Sequence, residues 1–271
     1  MKDANLTEKF ITIDGSKVHY LEMGQGDPIL FLHGVPTSSH VWRNVIPLMA
    51  EYAHCVAPDL TGCGQTSGSN SDLSPEGHLA LIEKFVEKLH LKNCTLVLHG
   101  LGSSIGFEYT AAHPENVKAV AFYEAQLQPV SSWEMLSLPM QHLLYIAKFK
   151  TVDFMRKLLR SMSLKLLTDK EVNGYFSNGN IAESSASCLW GYVQKFSSSS
   201  NNYAEKLKNS AVPKLLMYNT PGFLTTMDSV VWCQDNLSNI KLADLDEGLH
   251  LAQEDNPKLF ATVLTDWYLS L

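Results

Sequence analysis

The sequence predicts an α/β fold: a mostly parallel central sheet flanked by helices and interrupted by an inserted helical cap. Three observations predict it. Short, continuously apolar segments such as Pro28–His33 and Val117–Tyr123 have the composition of strands buried on both faces. They alternate with segments of helical periodicity, the rhythm of parallel βαβ units. From about Gln126 to about Leu207 that rhythm gives way to Leu- and Met-rich helical stretches, and strand-like segments then return. The core is therefore expected from residues 1–125 and 209–271, with residues 126–208 as the cap.

Taken in order, Phe10–Ile13 and Lys17–Glu22 are expected to pair across Asp14-Gly15, a dipeptide suited to the left-handed backbone of a tight hairpin. Pro28–His33 is a buried strand, Val41–Ala50 a helix and His54–Asp59 another strand. Ser74 caps the next helix, Pro75 fits its first turn, and Leu79, Ile82, Phe85, Val86 and Leu89 mark its apolar face. Thr95–His99 is a strand running into a Gly-rich turn and a helix, and Val117–Tyr123 a further strand. In the cap, Met135–Phe149 and Phe154–Leu167 are expected to be helical, and the low-complexity stretch Phe196–Asn202 a loop. Lys214–Tyr218 and Ile240–Leu245 restore the strand pattern, and Pro257–Leu269 closes the core as a helix.

Composition excludes several classes of function. The net charge is −7 and no basic run occurs, which argues against nucleic acid as a partner. No stretch approaches the ~18 consecutive apolar residues of a membrane span, and the amino terminus lacks an apolar signal region, so a cytoplasmic location is expected. Cys55, Cys63, Cys94, Cys188 and Cys233 are odd in number and in no metal-ligand spacing, and read as reduced, buried, inert thiols. No metal and no cofactor are expected. The expected partner is an apolar small molecule, and the oligomeric state is left open.

The segment Thr95–Tyr109 has the pattern of a nucleophile elbow, a strained strand-to-helix turn that lifts a reactive side chain above the sheet. Gly102 supplies the small residue that such a turn needs. The apex, however, is Gly100, which has nothing to attack with. Ser103 and Ser104 fall in the first helical turn and are expected to cap or pack, and Cys63, on a Gly-flanked loop, to pack. None of them substitutes for the missing nucleophile.

Four motifs carry a family resemblance: His33-Gly-Val-Pro-Thr-Ser-Ser-His-Val-Trp-Arg-Asn-Val-Ile-Pro, Ala57-Pro-Asp-Leu-Thr-Gly-Cys-Gly, Gly106-Phe-Glu-Tyr with His113-Pro-Glu-Asn-Val-Lys-Ala, and Gly248-Leu-His-Leu-Ala-Gln-Glu-Asp-Asn-Pro. The chain resembles α/β-hydrolase-fold proteins of the haloalkane dehalogenase and Renilla-type luciferase group. In that family an elbow aspartate displaces halide and forms an ester, which a histidine-activated water hydrolyses while a second carboxylate orients the histidine. The resemblance implies Gly100 for the nucleophile position, His250 for the base and Glu124 for the orienting acid. It also places Val35 and Leu101 where the family grips halide with asparagine and tryptophan, and neither side chain can donate a hydrogen bond. Dehalogenation is therefore not expected.

The backbone N–H groups of Val35 and Leu101 fall where this fold builds its oxyanion hole, and they survive side-chain substitution. Gly100, Leu101, Trp133, Phe223 and Leu249 are candidates for the pocket lining, with plain core packing the alternative reading for each side chain. His33 and His99 read as structural, and Asp59 as a turn residue. With His250, Glu124 and two backbone donors, the expected activity is noncovalent: a cofactor-independent lyase, cyclase or isomerase acting on a carbonyl-containing, polyketide-like or other apolar small molecule. Two alternatives stand beside it, a pseudoenzyme that binds an apolar ligand and a hydrolase whose water is activated directly by His250. A luciferase-like oxygenase carries less weight, because the tryptophan and aspartate of that group are absent.

Overall fold

In the computed structural model, which describes residues 5–68, 72–125, 127, 152–176, 184–185, 187–188, 191–192 and 203–271, an eight-stranded sheet forms the core. Thr7–Ile13 (β1) and Ser16–Met23 (β2) make the expected hairpin, with Asp14 and Gly15 at φ +48° and +80°. Pro28–Leu32 (β3), His54–Pro58 (β4), Cys94–His99 (β5), Val117–Tyr123 (β6), Lys214–Pro221 (β7) and Ile240–Gly248 (β8) complete the sheet in the order β1-β2-β4-β3-β5-β6-β7-β8. The pairs β1–β2 and β2–β4 are antiparallel and all the others parallel. Every residue of β5 is buried, as its unbroken apolar run requires.

Register positions the site. Leu32 pairs with Leu98, and His99 with Tyr123, so β3, β5 and β6 end side by side. The residues that follow, Gly34-Val35, Gly100-Leu101 and Glu124, share the carboxyl edge of the sheet with the loop after β7 and with His250 after β8. In parallel α/β sheets this is the edge where ligands bind.

Helices cover the sheet. Ser74 Oγ accepts the Gly77 N–H at 3.1 Å and caps Pro75–Lys88 (α2), as expected. The elbow helix, Gly102–Ala112 (α3), lies so close to the end of β3 that a Cβ on Gly102 would collide with the His33 carbonyl. Pro257–Tyr268 closes the chain as expected. No described helix is long and apolar enough to cross a membrane.

Two helices differ from expectation. Val41–Ala50 splits into a 3₁₀ turn, Ser39–Trp42, and a short helix, Ile46–Met49 (α1). Pro47 has no N–H for a carbonyl one turn back, so it starts a helix here and cannot continue one. The expected Phe154–Leu167 helix is Val152–Ser161 and stops there. Beyond it the Asp255 carboxylate accepts the Ser163 hydroxyl and the N–H groups of Leu164 and Lys165, which draws the chain off the helical path. Thr168 and Glu171 then form a capping box that starts Asp169–Tyr175. The expected helix Met135–Phe149 and loop Phe196–Asn202 lie outside the described residues, as does most of the 126–208 segment.

Candidate active site

Glu124 follows β6 with φ +50°, a left-handed conformation that costs a non-glycine residue about 1–2 kcal/mol. That turn sends its fully buried carboxylate under the loop after β7. There Oε1 accepts the N–H groups of Phe223 at 3.0 Å and Thr225 at 3.3 Å, and Oε2 that of Leu224 at 2.5 Å. The fourth donor is His250, whose Nδ1 lies 2.9 Å from Oε2. An ionised carboxylate only accepts, so Nδ1 carries the proton and Nε2 of the neutral ring is the basic nitrogen.

The imidazole is also held by its backbone and its neighbours. The His250 N–H donates to the Met162 carbonyl at 3.0 Å, and its own carbonyl accepts from His99 Nε2 at 2.9 Å. The His99 ring lies 4.4 Å from the His250 ring, and Phe223 lies 5.5 Å from it on another side. Burial drives the His99 pKa well below the ordinary histidine value, and the neighbouring His250 adds to the shift. His99 is therefore neutral and does not oppose a positive charge on His250. His33 is buried too, bonded through Nδ1 to the Gly34 carbonyl at 2.7 Å and through Nε2 to the Leu60 N–H at 2.9 Å. Both histidines hold backbone, as expected of them, but contact between His99 and His250 was not expected.

Gly100 sits at the elbow with φ +55°. A Cβ built there would lie 3.2 Å from His250 Nε2 and 3.4 Å from Gly34 Cα. The basic nitrogen thus faces the position from which a side chain would project. A Cβ on Gly34 would lie 3.3 Å from Gly100 Cα and 3.4 Å from the Leu101 nitrogen, so the turns carrying Val35 and Leu101 touch. Among the described residues neither the Val35 nor the Leu101 N–H donates a hydrogen bond. The side chains of both are buried, Phe223 and Leu249 are half-buried, and Trp133 lies outside the described residues.

The other singled-out residues sit elsewhere or pack. The Ser103 N–H bonds the Gly100 carbonyl at 3.0 Å, and the Ser104 hydroxyl bonds Tyr203. Asp59 does more than end a strand. Its carboxylate accepts His19 Nδ1–H at 2.8 Å and the N–H groups of Ser39 and Gln65, each at 2.7 Å. Burial alone would raise its pKa, but the His19 bond, with His33 and Ser39, holds it below the ordinary value. It borders a separate cavity of about 370 Å³ shared with His19, His40 and Arg43. No local pattern marks Asp59 or His99, because their partners are distant in sequence.

Comparison with known proteins agrees with this fold. A model of the α/β hydrolase fold matches residues 27–257. The chain belongs to the α/β-hydrolase fold family. Among its α/β-hydrolase relatives, a haloalkane dehalogenase from Sphingobium indicum is 30% identical over 92% of this chain and 91% of that protein. A haloalkane dehalogenase from Agrobacterium fabrum is 29% identical over 93% of this chain and 88% of that one. The crystal structure of the haloalkane dehalogenase DatA from Agrobacterium tumefaciens superimposes with a TM-score of 0.85 at 27% identity, covering 98% of this chain and 97% of that one. That of DbeA from Bradyrhizobium elkani gives a TM-score of 0.87 at 25% identity, covering 98% of each chain.

Proposed function

We propose that this α/β-hydrolase-fold protein is a cofactor-independent, noncovalent enzyme, a lyase, cyclase or isomerase acting on a carbonyl-containing apolar small molecule. The observation that carries the reading is the 3.2 Å between His250 Nε2 and the Cβ position of Gly100. The base is oriented and buried, and it confronts an elbow that has no nucleophile. In this reading His250 takes a proton from the substrate, Glu124 fixes the tautomer and balances the imidazolium, and the Val35 and Leu101 N–H groups receive the oxygen on which charge develops. A positioned base is worth about 10²–10⁴-fold in rate, and one oxyanion donor about 10²–10³-fold. Leu101, Phe223 and Leu249 would line the apolar pocket, and residues 126–208, including Trp133, would form the cap above it.

The same base could instead activate water, or the pocket could bind a ligand without turning it over. A benzisoxazole, opened by a single abstraction of a carbon-bound proton, separates these readings from the proposed one. The wild-type protein is expected to open 5-nitrobenzisoxazole at least about 10²-fold faster than His250→Ala. Equal rates in the two proteins would sink the reading. A rate advantage confined to nitrophenyl esters would favour direct water activation. Halide release from 1,2-dibromoethane would return the chain to the chemistry for which its relatives are named.

A further inference from the structure

Two peptide planes flank His250, and each is held at both ends. In the plane before it, the Leu249 carbonyl accepts the Tyr123 hydroxyl at 2.6 Å, and the His250 N–H donates to the Met162 carbonyl at 3.0 Å. In the plane after it, the His250 carbonyl accepts His99 Nε2–H at 2.9 Å, and the Leu251 N–H donates to the same Met162 carbonyl at 3.0 Å. A peptide unit is rigid, and each residue has only two soft backbone dihedrals. Holding both planes therefore fixes φ and ψ of His250, and with them the direction in which its side chain leaves the backbone.

Register brings His99 and Tyr123 to these two carbonyls. They are paired partners at the ends of β5 and β6, both fully buried, with rings stacked 5.8 Å apart at 16°. A carbonyl only accepts, so His99 Nε2 is the protonated nitrogen, and Nδ1 has no partner among the described residues. Burial and the nearby Glu124 charge hold the Tyr123 pKa well above the ordinary phenol value, so its hydroxyl keeps its proton. Asn219 Oδ1 lies 2.7 Å from the same hydroxyl, turned that way because the amide nitrogen donates to the Leu245 and Asp246 carbonyls, each at 2.9 Å. Apolar side chains could fill these two core positions without burying a polar group, so packing alone does not call for them.

We propose that His99 and Tyr123 are positioning residues, a pair that sets the backbone of His250 while Glu124 sets its ring. The assignment rests on the reading of His250 as the general base. Both side chains act through His250 and not on the substrate. Without either hydrogen bond one flanking plane is held at one end only, and the imidazole loses its single seat between Glu124 and Gly100. Such a loss of aim slows the chemical step and leaves the apolar lining, and so substrate affinity, as it was.

The test uses the full chain as wild type, Tyr123→Phe, His99→Leu and His99→Gln, each checked for cooperative urea unfolding. Turnover of 5-nitrobenzisoxazole is measured, and proton NMR follows exchange of the His250 Nδ1–H with water, the signal being identified by its loss in His250→Ala. Tyr123→Phe removes only a hydroxyl, so it is the variant surest to fold. It and His99→Leu are each expected to lower kcat about 10-fold, with KM within about 2-fold, and to quicken the exchange. His99→Gln keeps an N–H donor and is expected to recover most of both losses. Unchanged exchange in folded Tyr123→Phe would overturn the proposal, as would unchanged kcat beside an active wild type, or His99→Gln as impaired as His99→Leu. A wild-type rate no higher than that of His250→Ala would end the general-base reading instead, and the exchange rates would then decide by themselves whether the pair seats the ring.

Discussion

Gly100 shows how much one hydrogen atom in place of a side chain decides. Its φ of +55° disfavours any L side chain, and a Cβ would press on His250 at 3.2 Å. Gly100→Ala is therefore expected to lose about 1–2 kcal/mol, read as a lower urea midpoint with an unchanged m-value. Glu124→Gln keeps the shape and removes the charge, leaving an amide NH₂ among N–H donors. A fall of about 10²–10⁴-fold in benzisoxazole turnover is expected, with Glu124→Gln/His250→Ala little worse than His250→Ala, because the two groups act as one unit. Retention of wild-type turnover in Glu124→Gln would show that the carboxylate does not orient the base.

Among the elements, those with local causes were the ones legible in the sequence. The Asp14-Gly15 hairpin, the buried β3, β5 and β6 and the Ser74-Pro75 start of α2 each depend on residues a few positions apart. Ser74→Ala is accordingly expected to cost about 1 kcal/mol, measured by chemical unfolding. The Val41–Ala50 helix failed on a rule that was also local, the missing N–H of Pro47. The Phe154–Leu167 helix failed on one that was not. Asp255 comes from the far end of the chain, and no periodicity around Ser163 announces it. The site divides the same way: motif position pointed to His250 and Glu124, while the tilted ring contact of His99 with His250 and the anchoring of Asp59 arise only once distant strands align.

Across the whole molecule, polar contacts join segments that the sheet does not. Arg43 grips Glu254 through two hydrogen bonds of 2.5 and 2.8 Å, and Tyr175 donates its hydroxyl to the same carboxylate. These residues link the Ser39–Trp42 turn, the Ala252–Asp255 helix and Asp169–Tyr175. Arg43→Ala strands a buried carboxylate and is expected to cost about 3–5 kcal/mol in a thermal or urea melt. His40 packs edge-on against Tyr175, and burial, with the nearby Arg43 charge, lowers its pKa to about 4. Between that value and about 6.5 the unfolded chain binds the proton that the folded chain refuses, so stability falls as pH drops through this window, by up to about 3 kcal/mol. His33 and His99 shift in the same direction and add to the slope. Unfolding temperatures at pH 7.5 and 5 should differ, and His40→Gln should narrow the gap; an unchanged gap would assign the slope elsewhere. Finally, the Met162 carbonyl accepts the N–H groups of both His250 and Leu251 at 3.0 Å. The peptide that carries the base is thereby stitched to the residue just after Val152–Ser161. Deuterium uptake at those two amides should then act as a clock for each excursion of that segment, ticking more slowly whenever a ligand holds it down.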